Sequence, residues 1–144
     1  MTWLATQFQH PEVERVFAAY PDGVRGRMLE LRALVFEMAA GLPVVGRVEE
    51  TLKWGEPAYL TPESRSGSTI RMDWKARAPE VCGLYFNCHT SLVAGFRDAF
   101  GGVFRYEGER AVLVPVDGAY PREAVARCFA AALTYHRRGI ISTA

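Results

Sequence analysis

The sequence predicts an α+β domain: an antiparallel sheet of about five strands covered by helices on one face. Three observations carry that expectation. The first forty residues repeat apolar side chains at helical spacing. The middle of the chain then switches to period-two alternation, and the last stretch returns to a helical stripe. At 144 residues the chain fits one domain, 1–144, with no internal repeat, low-complexity tract or linker.

The elements follow in order. Pro11 stands where a first helical residue belongs, and Glu12 and Glu14 suit the positive end of a helix dipole. That helix reaches about Tyr20 and stops at "PDG". Asp22 then caps a longer helix to about Ala40, in which Val24, Met28, Leu31, Val35 and Met38 form one core-facing stripe. Gly41 and Pro43 end it. "GRVEETLKW" alternates as a strand, with Val48, Leu52 and Trp54 on one face. "TIRMDWK" places Ile70, Met72 and Trp74 opposite Arg71, Asp73 and Lys75, and "EVCGLYFN" is continuous enough to be an interior strand. Between the first two strands, "TPESRSGS" (61–68) is expected as an exposed, mobile connection. A helix over about Ser91 to Phe100 follows, then a hairpin in "VFRYEGERAVLVP" turning at Glu107-Gly108. Pro121 opens a last helix to about Arg137 with Val125, Cys128, Phe129, Ala132 and His136 facing inward.

Composition narrows the class of function. Seventeen basic side chains against sixteen acidic ones leave a formal charge of +1, so no general electrostatic drive toward nucleic acid or an anionic membrane exists. The three cysteines lack paired spacing and fit free thiols in a reducing compartment. "MTWLATQFQHPEVERVF" has no basic start followed by an apolar run, and no stretch approaches the roughly 18 apolar residues of a membrane span. A cytoplasmic protein is expected, with no membrane and no nucleic-acid partner.

The chemistry concentrates in "EETLKWGEPAYL". On a strand Glu50 points the same way as Leu52 and Trp54, which makes it costly unless it is partnered. It is either a pocket acid walled by Trp54 and Tyr59, or an acid at the strand entrance satisfied by water or backbone amides. Glu49 and Lys53, on the other face, make a solvated pair worth under about 1 kcal/mol. Pro57 forbids a continued central ladder, so the chain is expected to leave the sheet there. Gly55 allows the bend, with Trp54 and Tyr59 filling the corner.

Other candidates are thinner. Cys88 and His89 in "NCHT" point apart on a strand, and no second Cys/His pair accompanies them for a metal. Cys88 as a nucleophile needs a base brought from elsewhere in the fold. His136 suits a helix C-terminus, and "TYHRRGIIS" gathers Arg137 and Arg138 beside it. No GxSxG, phosphate loop or HExxH occurs.

Together, "EETLKWGEPAYL", "IRMDWKARAPEVCGLYFN", "FRYEGERAVLVPVD" and "ALTYHRR" resemble the YdhG-like family, a domain of unknown function. The likeness runs over nearly the whole chain after Gly23 and is densest at Glu50, Lys53, Trp54, Pro57 and Tyr59. It implies a curved antiparallel sheet covered by helices, similar to the frataxin-like sandwich. One branch of the family is described as an iron chaperone, which implies an alternative iron-binding role. Such a role needs clustered carboxylates, and Glu12, Glu14, Glu30 and Glu37 with interspersed arginines make no acidic ridge. The functional expectation is a non-enzymatic small-ligand-binding domain without a cofactor, monomeric or weakly dimeric. Glu50, Lys53, Trp54, Pro57 and Tyr59 are its ligand-binding residues, and the 61–68 loop is its cover.

Overall fold

The computed structural model describes residues 6–137. Helices α1 (Pro11–Ala19) and α2 (Asp22–Ala40) lead into strands β1 (Glu49–Lys53), β2 (Glu56–Leu60), β3 (Ile70–Trp74) and β4 (Val81–Tyr85). Helix α3 (Leu92–Phe100), strands β5 (Arg105–Glu107) and β6 (Ala111–Pro115) and helix α4 (Arg122–Leu133) complete the order. The six strands form one antiparallel sheet, β1-β2-β3-β4-β6-β5, so the domain is α+β with one strand more than expected. None of the described helices is long and apolar enough to cross a membrane.

Alternation splits the sheet into two unlike faces. Tyr59, Ile70, Met72, Cys82, Leu84, Val112 and Val114 are sealed into the core with Val13, Phe17, Met28 and Leu31 of α1 and α2 and Cys128 and Phe129 of α4. The intervening positions Arg71, Asp73, Lys75, Tyr85 and Leu113 are half-buried and mostly polar. There Glu56 binds the Arg71 guanidinium at 2.5 Å and the Lys75 amine at 3.1 Å, and Lys75 also reaches Asp73 at 3.0 Å. The hydroxyl of Tyr20, from the end of α1, donates to Asp73 at 2.6 Å.

The extra strand is β2, and it contains Pro57. In a two-residue hairpin the pair closing the turn, Lys53 and Glu56, is hydrogen-bonded, which makes the next pair, Leu52 and Pro57, a non-hydrogen-bonded one. The absent proline N–H therefore takes nothing from the β1 pairing. It faces β3 instead, where the register covers only Ala58↔Arg71 and Tyr59↔Ile70. Pro57 shortens one ladder; it does not expel the chain from the sheet.

Three further expectations are corrected. The 61–68 connection follows β2 and is anchored: the Ser66 hydroxyl donates to Leu133 O and the Ser68 amide to Ala132 O, both at 2.8 Å. A Cβ on Gly67 would lie 2.7 Å from Leu133 O, so only glycine lets the loop approach this closely. These contacts satisfy the carbonyls left over at the end of α4, and Thr61, Ser66 and Ser68 are buried. The last helix stops at Leu133, with a 3₁₀ turn at Tyr135–Arg137, and His136 is exposed rather than inward. Glu49 and Lys53 form no ion pair among the described residues, while Arg138 lies outside them.

Candidate functional site

The "EETLKWGEPAYL" stretch divides between the two faces of the sheet. Glu50 and Tyr59 face each other across β1 and β2 and are both 0% exposed. The Arg32 side chain of α2, 1% exposed, meets the Glu50 carboxylate in a two-pronged contact, Nε at 2.5 Å and Nη2 at 2.9 Å. Tyr59 donates its hydroxyl to Glu50 at 2.9 Å, and the Gln9 amide adds a bond at 3.2 Å. Two further Arg32 hydrogens go to the carbonyls of Thr6 and Gln7 at 2.8 and 3.0 Å, while its guanidinium lies 4.1 Å from the Phe8 ring centroid. Burial first, and the Glu50 charge second, push the Tyr59 hydroxyl well above its ordinary pKa of 10.0. A saturated cluster of this kind has no lone pair left for a ligand. It holds residues 6–9 and α2 against the first strand.

Gln9 adds to that role. Its side chain accepts the Glu50 amide at 2.8 Å and donates to Val48 O at 2.9 Å, occupying part of the outer edge of β1 as a neighbouring strand would.

Trp54 is placed differently from the expected inward corner. Trp54 and Gly55 have φ of 57° and 77°, the paired left-handed residues of a type I′ hairpin turn. Glycine adopts that geometry freely, but a bulky L-residue is strained in it. The indole is 90% exposed and makes no ring contact or hydrogen bond with the described residues. Trp54 and Tyr59 do not meet: Tyr59 instead packs edge-on to Phe36 at 5.8 Å.

Beside the turn lies a partly enclosed hollow of about 540 Å³. The hairpin contributes Lys53 and Trp54, and β3 with its approach contributes Arg71 and Thr69. Phe86, Asn87, Cys88 and His89 come from the segment after β4, and Arg110 from the β5–β6 turn. The segment is held in a tight turn: Asn87 Oδ1 accepts the His89 amide at 2.8 Å and Asn87 O accepts the Thr90 hydroxyl at 2.6 Å. Phe86 donates its amide to Arg110 O at 2.7 Å, which locks that segment to the neighbouring turn.

The electrostatics are one-sided. Among the described residues three cations line the hollow and no carboxylate does. Arg71 is neutralised by Glu56, but no carboxylate among the described residues lies within ion-pair distance of Lys53 or Arg110. Cys88 is exposed, whereas burial pushes Cys82 and Cys128 up to about 12.

Of the five expected ligand residues, the fold brings Lys53 and Trp54 to this hollow, puts Glu50 and Tyr59 under the helices, and buries Pro57 in β2. The sequence reading missed Thr69, Arg71, Phe86 and Arg110 as wall residues. No local signal picks out Arg110, since Glu107 and Glu109 stand close to it in sequence and only the fold shows that Glu109 pairs with Arg97 instead, at 2.6 Å. No group of three or more His, Cys, Asp or Glu among the described residues is arranged to hold a metal ion. The chain matches no known protein family, no curated protein and no solved structure.

Proposed function

We propose that this chain is a non-enzymatic domain that binds a small ligand in the hollow between the β1–β2 turn and the Asn87–His89 turn. The observation that carries the reading is Trp54. A tryptophan held at φ 57° with 90% of its surface in water stabilises nothing inside the fold, and asparagine or glycine would suit the turn better. Backbone strain kept at the rim of a cavity is a mark of binding sites. The cavity volume of about 540 Å³ falls in the range of small-molecule sites. The reading keeps the chain with YdhG-like proteins of the cytoplasm and replaces the expected Glu50 and Tyr59 contacts by Arg71 and Arg110.

A fragment and metabolite panel read by thermal shift, followed by amide chemical-shift mapping, tests it. A binder of the native state raises the melting temperature. The expected perturbations fall on residues 53–55, 69–71, 86–89 and 110. Binding only at other surfaces, or no binder across the panel, refutes the reading.

A further inference from the structure

Resting on that site, we infer that its ligand is a small aromatic dianion: a planar ring carrying either a phosphate monoester or two carboxylates. Charge gives the first half of the inference. With Arg71 engaged by Glu56, Lys53 and Arg110 leave two positive charges on the wall that no described carboxylate compensates. A cleft lined by one sign of charge concentrates the opposite sign, and two cations match two negative charges.

Hydrogen-bonding capacity agrees. Lys53 offers three donors and Arg110 five, and neither accepts. The Asn87 oxygen already accepts the His89 amide, and its NH₂ adds two further donors to the wall. A donor-rich wall is satisfied by an oxygen-rich anion, and the guanidinium of Arg110 suits the two-pronged geometry of carboxylate or phosphate oxygens.

The ring is the second half. Trp54 presents its indole unobstructed at the rim, and an aromatic face stacks on any planar π system. A purely inorganic anion would leave that face in water, and a neutral ring would leave both cations unmatched. The hollow, at about 540 Å³, accommodates both parts of one molecule.

The test uses the full chain and four probes in isothermal titration: adenosine monophosphate, phthalate, inorganic phosphate and adenosine. Ring and charge together are expected to bind at least about tenfold tighter than phosphate or adenosine alone, a difference of one good charged contact. The better of adenosine monophosphate and phthalate tells whether phosphate or paired carboxylates is the source of the charge. Lys53→Ala with Arg110→Ala should abolish that tenfold advantage and its salt dependence. Trp54→Ala should bring the ring-bearing anion down to the level of phosphate. Adenosine binding as tightly as its monophosphate, or tight salt-independent binding, overturns the dianion while leaving the hollow a ligand site. If none of the four binds but a neutral or cationic fragment maps to residues 86–89 and 110, the dianion again falls alone. Failure of every probe and fragment at the hollow removes both.

Discussion

Beneath the helices the Glu50 carboxylate is saturated by Arg32, Tyr59 and the Gln9 amide. On the opposite face Lys53, three residues along the same strand, has no carboxylate within reach among the described residues. The first arrangement is required by desolvation: an ion taken out of water must find its partner within the protein. The second persists because water tends the charge until something better arrives. The same split separates the aromatics, Tyr59 sealed and hydrogen-bonded, Trp54 in solvent and strained. Satisfaction marks the structural region, and unmet capacity marks the one available for binding.

The contrast is sharpest for the thiols. Cys88 should alkylate in the native state more than about a thousandfold faster than Cys82 or Cys128, whose reaction waits on unfolding. Mass spectrometry of a time course checks this; comparable rates would mean the core opens readily. The buried thiols also carry a pH signature. Their folded pKa is raised from 9.0 to about 12 by burial, so their contribution is fully present below pH 9 and is lost as pH climbs toward 12. The melting temperature should fall across that window, and fall less in Cys128→Ala.

Removing one member of the sealed cluster comes next. Arg32→Ala should cost about 3–5 kcal/mol in denaturant unfolding, because it strands a buried carboxylate. Arg32→Met with Glu50→Leu should recover most of that, since apolar pairs of similar volume replace buried ion pairs without loss. Tyr59→Phe should cost about 1–2 kcal/mol through the one bond it removes. A loss below a few tenths would show that water reaches the cluster.

In the hollow the sign reverses. Trp54→Asn should stabilise the protein by about 1 kcal/mol, since asparagine tolerates the left-handed turn position. It should weaken ligand binding at the same time. Lys53→Ala and Arg110→Ala should change stability by less than about 0.5 kcal/mol. Destabilisation by any of these three would assign the hollow a structural role.

Much of the fold was legible because burial follows local periodicity. Val24, Met28, Leu31 and Val35 lie on the buried side of α2, and the alternation in "TIRMDWK" puts Ile70 and Met72 in the core. The error at residues 54–60 came from one physical assumption, that a proline cannot continue a strand, when the hairpin phase puts its missing N–H where pairing already ends. Reading Trp54-Gly55 as an I′ turn would have returned residues 56–60 to the sheet as a strand. Arg32 and Arg110 were not legible by any local rule. One is buried because a strand acid 18 residues away needs it, and the other reaches the hollow from a turn 57 residues beyond Lys53.

Taken alone, the order and spacing of residues determined the α+β class, the positions of the helices and the hairpin of β5 and β6. Local sequence settles such features because helix and strand periods are written within a few consecutive residues. Which charges are sealed and which stay open was decided only by tertiary packing, since a side chain's partner depends on what the fold sets against it.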